Sequence, residues 1–316
     1  MKPRAILVGA GAIGRRHLEA LAATNAAPEV HVVEPDPGAR AAALAAAGGL
    51  AVTTSADGEG APARAELLIV ATTAAVRRAA LEAALARTAP RAVLLEKILF
   101  QTRRDLDAVG ATFAGRGIAA FVNCGRRGFP GYDALRADIA GRPVADFSVE
   151  GAGWGLCSNL VHFLDLAEHL TGEAVSDLSG EALDPEAKPA KRSGCVEMTG
   201  CVTGRLSGGG AVRIVCAAAA PRAPVVTLRG AWGGWRIDEG ARTVAALEAN
   251  GHAGPTAPFA ARHVSEMPYL YDALLRDGAS RLTPYAQSAR QHALALDMFR
   301  AAMGISVEED APCPIS

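Results

Sequence analysis

Aromatic side chains are scarce in this chain, 5% of its 316 residues, so alanine-rich helices must supply much of the packing. An excess of charge of either sign is also missing. With 32 Lys and Arg against 33 Asp and Glu, the formal net charge is −1, which excludes a nucleic-acid surface driven by bulk charge. No apolar run approaches the ~20 residues that a membrane-spanning helix requires. The six cysteines, Cys124, Cys157, Cys195, Cys201, Cys216 and Cys313, include no C-x-x-C pair and no metal-ligand cluster. Reduced, mostly buried thiols of a cytosolic protein without a bound metal are expected. The N-terminus runs straight into a strand-like segment rather than a signal peptide. A soluble cytoplasmic protein, free of membrane and nucleic-acid partners, is the expectation.

What is present begins at Ala5-Ile-Leu-Val8, an apolar run that feeds directly into Gly9-Ala-Gly11-Ala12-Ile13-Gly14 and then a helix-forming segment. In a strand–turn–helix context, Gly-x-Gly-x-x-Gly divides its labour. Gly9 permits a tight turn, Gly11 lets backbone approach a pyrophosphate, and Gly14 allows close packing of helix on strand. The helix N-terminus adds free N–H groups and a positive dipole end for the phosphates. A second apolar run, Val30–Val33, ends in Glu34, twenty residues after Gly14, where a carboxylate can hold the ribose hydroxyls of NAD. Its charge disfavours the 2′-phosphate of NADP. Arg15 and Arg16, just beyond the turn, keep NADP open as a second cofactor.

The first third alternates strand and helix signals. Helices are expected at Gly38–Ala47, Ala74–Arg87 and Arg103–Ala114, and strands at Ala51–Thr53, Leu67–Ala71, Val93–Glu96 and Ile118–Val122. Apolar runs separated by helices predict a doubly wound parallel sheet, a Rossmann domain over residues 1–122. Beyond it the pattern changes. Val144–Gly151 reads as a strand, followed by a helix near Ser158–Leu170. Strand-like runs follow at Cys195–Val202, Ala211–Cys216, Val225–Arg229 and Trp235–Asp238. With helices near Ser265–Arg276 and Tyr285–Met303, residues 123–316 predict an α+β domain built on a largely antiparallel or mixed open sheet. The polar segment Asp184–Ser193, holding two prolines, is expected to be a mobile loop, and the tail from Glu308 to Ser316 to be loose. In open α/β sheets the ligand crevice lies at the carboxyl ends of the strands, so the second domain is expected to supply substrate contacts there.

Two constellations carry chemistry. Glu96-Lys97 ends the fifth parallel strand. A lysine there can bond a substrate oxygen, and partial desolvation lowers its pKa toward proton transfer. It can equally be a surface lysine ending a strand. The second is Trp154-Gly-Leu-Cys-Ser158-Asn159-Leu-Val-His162-Phe-Leu-Asp165-Leu. On a helix, Ser158, Asn159, His162 and Asp165 fall near one face, a polar seam on an otherwise apolar element. His162 is a candidate acid/base; a satisfied core histidine is the plainer alternative. Paired Arg126 and Arg127, after Asn123, suit an anionic group, or else a helix start or an interdomain salt bridge.

Together these residues resemble the Gfo/Idh/MocA oxidoreductases, which include glucose–fructose oxidoreductase and inositol dehydrogenases. The resemblance rests on Gly9–Gly14 followed by His17, on Ala71-Thr72-Thr73, on Glu96-Lys97, and on His162-Phe-Leu-Asp165-Leu, and covers nearly the whole chain. It implies catalytic roles for Lys97 and His162, and cofactor contacts from Gly9, Gly11, Ala12, Ile13, Gly14, Glu34, Thr72, Glu96 and Lys97. Asn123, Arg126, Arg127, Trp154, Ser158, Asn159 and Asp165 are the substrate-contact candidates, with Asp165 mainly orienting. The segments 123–132 and 154–159 are similar to a branch associated with bacterial surface-sugar pathways, which suggests a sugar, sugar acid or nucleotide sugar. The resemblance also implies a homodimer or homotetramer.

Three positions depart from the family pattern. Ser158 stands where an aspartate precedes the histidine by four, Ile98 replaces the proline after the lysine, and Arg77 replaces the histidine after Thr72-Thr73. Arg77 could meet an anion there, but an exposed helix face is the expectation. The implied activity is NAD(P)-dependent hydride transfer at a carbinol or carbonyl carbon. The alternatives are a dinucleotide-binding sensor that kept the fold and lost the chemistry, and a Rossmann methyltransferase.

Overall fold

The computed structural model of the chain describes residues 2–306 and 311–316. In chain order its elements are β1 (Arg4–Val8), α1 (Ala12–Ala22), β2 (Glu29–Val33), α2 (Pro37–Ala45), β3 (Val52–Ser55), β4 (Arg64–Val70), α3 (Ala74–Arg87), β5 (Ala89–Leu95), α4 (Arg103–Arg116) and β6 (Ala119–Val122). There follow α5 (Pro130–Ile139), β7 (Asp146–Ala152), α6 (Leu156–Thr171), β8 (Val175–Leu183), β9 (Lys188–Pro189), β10 (Val196–Glu197), β11 (Gly200–Leu206), β12 (Ala211–Ala217) and β13 (Arg222–Gly230). The last are β14 (Gly233–Asp238), β15 (Thr243–Leu247), β16 (Ala253–Pro258), α7 (Pro268–Asp277), β17 (Thr283–Pro284) and α8 (Tyr285–Ala302).

The chain divides into two compact units. The first comprises Met1–Phe100, Arg104–Gly128 and Arg262–Ala289. Its sheet has the order β3-β2-β1-β4-β5-β6-β17, parallel throughout except β17, which runs antiparallel to β6. The apolar runs of β1, β4 and β5 are buried, as strands covered on both faces must be. The order 3-2-1-4-5-6 is that of a dinucleotide-binding sheet, and it reverses between β1 and β4, the place where such sheets open a ligand crevice.

A single cut after residue 122 does not describe this unit, because the chain returns to it. Helix α1 packs against Val264–Glu266 and α7, and α7 against β4. Tyr285 stacks edge-on against Phe113 at 5.0 Å and donates its hydroxyl to the Leu106 carbonyl at 2.7 Å.

The second unit comprises Gln101–Arg103, Phe129–Ala261 and Arg290–Ser316. Its eight-stranded sheet runs β8-β11-β12-β7-β13-β14-β15-β16 and is antiparallel except for the β7–β12 pair, so the sheet is mixed. Helix α6 packs on α5, β8 and β12. Helix α5 was not anticipated, although Pro130 at its first turn suits a helix start and Tyr132, Leu135 and Ile139 bury one face. The expected mobile loop at 184–193 instead carries β9, paired with β10 through Lys188↔Glu197 and Pro189↔Val196. The tail is docked where it is described. Cys313 and Ile315 are buried, the Cys313 N–H donates to Gln101 O at 2.8 Å, and the Val196 N–H donates to Pro314 O at 2.8 Å. Residues 308–310 lie outside the described residues. All six cysteines are free thiols. Among the described residues no helix is long and apolar enough to cross a membrane, and no group of three metal-ligating side chains occurs.

Candidate active site

In the first unit the glycine turn leaves β1 at Val8 and enters α1 at Ala12. Gly9 has φ +93, and a Cβ there would lie 3.1 Å from the backbone of Ala71 and Thr72. A Cβ on Gly14 would fall 2.0 Å from Gly9 O. A Cβ on Gly11 would meet nothing within 4 Å. Packing therefore requires the first and third glycines, whereas the second keeps an open approach. No side chain caps the start of α1, so the first N–H groups, at Ala12 and Ile13, remain available to an anion. Gly14→Ala is expected to destabilise the fold by several kcal/mol, since backbone must move. Gly11→Ala is expected to stay within about 0.5 kcal/mol of wild type while weakening NADH binding. Thermal unfolding and fluorescence titration of both variants check this pair; equal stability losses would refute the division.

Glu34 follows β2 and accepts the Ala10 N–H at 2.7 Å and the Asp36 N–H at 3.0 Å. Its carboxylate thus sits against the glycine turn. Arg15 braces the same turn by donating to Ala10 O at 3.1 Å. Arg40, missed in the sequence, donates to the carbonyls of Glu34 and Pro35 at 2.7 and 2.8 Å; its place in the first turn of α2 was the available signal. A cavity of about 620 Å³ opens beside these groups, lined by Gly9, Gly11, Glu34, Asp57, Thr72 and Arg87 among others. An open glycine approach, uncapped helical amides and an acid at the second strand end are the features a dinucleotide requires, so the residues present fit NAD.

Lys97 lies two residues beyond the end of β5, half-buried, between a buried acid and a buried loop. Glu96, expected as a cofactor contact, belongs to a buried network. It is 7% exposed, accepting from Asn123 Nδ2 at 2.6 Å and pairing with His17 Nε2 at 3.0 Å. His17 Nδ1 meets the Tyr271 hydroxyl at 2.6 Å. Burial pushes the Tyr271 phenol well above its ordinary pKa, so it stays a hydroxyl. Asn123, expected on substrate, is spent inside this network for the same reason. Arg127 is also turned inward, buried and donating to Gln287 at 3.3 Å, while Arg126 remains partly exposed.

Burial raises the Glu96 pKa, but the hydrogen bond and charge of His17, the Asn123 donor and the Lys97 charge outweigh it and hold the pKa below the ordinary value of 4.5. A carboxyl whose folded pKa is depressed contributes stability above its unfolded pKa and loses it as pH falls through the folded one. Wild type is expected to exceed the Glu96→Gln variant in stability at pH 7, and to lose that margin as pH drops below about 4.5. Urea midpoints of both proteins at neutral and acid pH measure it. A margin that does not change with pH would refute the assignment.

Arg77 is the largest correction. Expected on an exposed face, it is 1% exposed. Its guanidinium donates to the Ile98 carbonyl, to Leu99 O at 2.8 Å, and to the Thr72 carbonyl. Through its two terminal nitrogens the guanidinium ties the segment after Lys97 to the segment before α3. The loop that lacks a proline after the lysine is held by this clamp instead.

The second unit carries the other constellation. From Leu160 to Leu170 every residue of α6 is buried except His162. Ser158 and Asn159, one turn earlier on that face, are also partly exposed. The polar seam is therefore open at 158, 159 and 162 and closed at Asp165, which has no exposed surface. Asp165, a candidate for substrate contact, therefore lies inside the second unit. Asn159 Nδ2 donates to Trp154 O at 2.9 Å and Gly155 O at 3.0 Å, fixing the first turn. Trp154 donates to Val215 O at 3.1 Å and packs edge-on against Phe163 at 5.3 Å, so it anchors the start of α6. Lys97 belongs to the first unit and His162 to the second.

Comparison with known proteins agrees with this geometry. Residues 4–124 match the Gfo/Idh/MocA family, described as an oxidoreductase family with an NAD-binding Rossmann fold. No curated protein matches the sequence significantly. Solved structures similar to the chain include a UDP-N-acetylglucosamine 3-dehydrogenase from Acidithiobacillus ferrooxidans, 16% identical with TM-score 0.75, covering 96% of this chain and 99% of that one. An oxidoreductase from Agrobacterium radiobacter, in complex with NAD+, L-tartaric acid and magnesium, is 16% identical with TM-score 0.72, covering 96% of each chain. Scyllo-inositol dehydrogenase from Lactobacillus casei, with NAD(H) and scyllo-inositol, is 14% identical with TM-score 0.71, covering 96% of this chain and 97% of that one. At such identities these likenesses establish the fold of both units. Residues 4–124, which carry the glycine motif and match the Gfo/Idh/MocA oxidoreductase family, thus form an NAD-binding Rossmann domain.

Proposed function

We propose that the chain is an NAD-preferring dehydrogenase that interconverts a carbinol and a carbonyl carbon of a sugar, sugar acid or nucleotide sugar. The observation that carries this reading is α6, a helix buried along its length that opens to solvent at His162 and the adjoining Ser158 and Asn159. Burying polar groups is costly, so a polar seam on such a helix calls for a use. UDP-N-acetylglucosamine, L-tartaric acid and scyllo-inositol, named with the similar structures, are all hydroxylated, which supports the substrate class.

When bound, the dinucleotide supplies the hydride acceptor or donor. The glycine turn and the first amides of α1 hold its phosphates. Glu34 has lone pairs left for ribose hydroxyls, and its charge disfavours a 2′-phosphate. Lys97 donates a hydrogen bond to the substrate oxygen and so stabilises negative charge developing there. His162 takes the hydroxyl proton in oxidation and returns it in reduction. Arg77, beneath the Lys97 segment, keeps that donor in place.

The test is a fluorescence titration with NADH and NADPH, followed by addition of sugars, sugar acids and nucleotide sugars while nicotinamide absorbance is recorded. Tighter binding of NADH and a sugar-dependent absorbance change are expected. Binding without turnover across the panel would favour the sensor alternative. Absence of binding would remove the dinucleotide site.

A further inference from the structure

Three polar side-chain atoms converge at the start of α6. A Cβ on Gly155 would lie 2.7 Å from Ser158 Oγ, 3.1 Å from Glu197 Oε1 and 3.4 Å from Asn159 Nδ2. Gly155 has φ +79, a left-handed conformation suited to glycine. Glu197 arrives from β10, forty residues beyond Cys157 in the chain. Its Oε2 accepts the Cys157 N–H at 2.8 Å and its Oε1 accepts the Ser158 N–H at 3.2 Å. The carboxylate is near enough to the Cys157 thiol to add to the rise in thiol pKa that burial causes.

A helix start needs only a local cap, as α2 shows, where Asp36 accepts from Ala39 N–H at 2.6 Å. At α6 the acid is brought instead from another strand. That strand is held on one side by β9 and by the Val196 N–H on Pro314 O. An ionised carboxylate offers about four lone-pair sites; the two helical amides and the Cys157 thiol engage three of them. Glu197, Ser158, Asn159 and His162 are all partly exposed, so the remaining site adjoins the open part of the seam.

We propose that Glu197 is a specificity-determining residue of the α6 site: it holds the first helical turn through two amides and accepts a hydroxyl hydrogen from a polyhydroxylated substrate. Its charge favours a neutral hydroxyl at that position over a carboxylate or phosphate. This inference rests on the dehydrogenase reading above. The test uses the full chain with NAD and a panel of neutral hexoses, inositols, uronic acids and nucleotide sugars, comparing wild type with Glu197→Gln. The amide keeps the side chain's size and one acceptor for the helix, but loses the charge.

For the neutral substrate turned over best, E197Q is expected to raise KM about tenfold or more, as loss of a charge-assisted hydrogen bond does, with kcat within about threefold. Its preference in kcat/KM for the neutral sugar over the uronic acid is expected to fall by a similar factor, with NADH affinity unchanged. Helix capping alone predicts a lower melting temperature with that preference intact, and this result would overturn the proposal. Should E197Q fail to fold, Glu197→Asp retains the charge on a shorter arm, and unchanged KM and preference there would overturn the proposal equally. If wild type turns over no panel member, the dehydrogenase reading fails before any variant is made, and the proposal falls with it.

Discussion

Replacing Arg77 with methionine is expected to lower the unfolding free energy by about 3 kcal/mol or more and to reduce turnover through Lys97. Methionine can fill much of the volume, so cavity formation contributes little. The loss comes from the carbonyls of Thr72, Ile98 and Leu99, which one 1%-exposed guanidinium satisfies together. Each buried acceptor left without a donor costs about 1–3 kcal/mol. Arg77→Lys is expected to fall between, because a single ammonium lacks the planar fork. Urea denaturation measures the first effect and steady-state kinetics the second. A stability loss under about 1 kcal/mol in the methionine variant would refute the clamp. Full stability loss with unchanged kcat in the surviving folded enzyme would separate the clamp from Lys97.

The second large effect is catalytic. His162→Ala is expected to lower kcat by about 10²–10⁴-fold, the usual worth of a positioned acid/base, while NADH affinity changes little. His162 is the one open position from Leu160 to Leu170, so trimming it leaves the helix packing largely intact and the melting temperature close to wild type. Lys97→Ala is expected to lose kcat on a similar scale. Equal losses of turnover and of NADH affinity in H162A would reject the acid/base role. Loss of folding in H162A would instead return the histidine to the ranks of ordinary core residues.

The Rossmann unit was legible because its signals are local: apolar runs, three glycines at fixed spacing, and an acid one strand later. Helices α3 and α6 were legible for similar reasons. Inward-facing polar residues were not. Glu96 and Asn123 stand at strand ends, where a site is expected, yet their fate depends on His17, 79 residues before Glu96, and on Tyr271, 254 residues after His17. Arg77 looked exposed because the helical pattern of α3 says nothing about the carbonyls it meets, 21 and 22 residues later. Glu197 carried no signal, since nothing in its neighbourhood announces α6. Strands β8 and β16 were missed because they are only partly buried; β16 in particular, an edge strand containing glycine and proline, is almost wholly exposed. Such strands lack clear apolar alternation.

The return of residues 262–289 to the first unit has a consequence for synthesis. During translation the glycine turn leaves the ribosome early, but Tyr271, which completes the buried His17–Glu96 network, is made 254 residues after His17. A nascent chain of 128 residues lacks α7 over β4 and β17 at the sheet edge. Its apolar surface must wait, or be shielded by chaperones, while the whole second sheet is polymerised. A genetically excised fragment 1–128 inherits the same deficit permanently, so a usable dinucleotide module has to be built by splicing 262–289 back onto it.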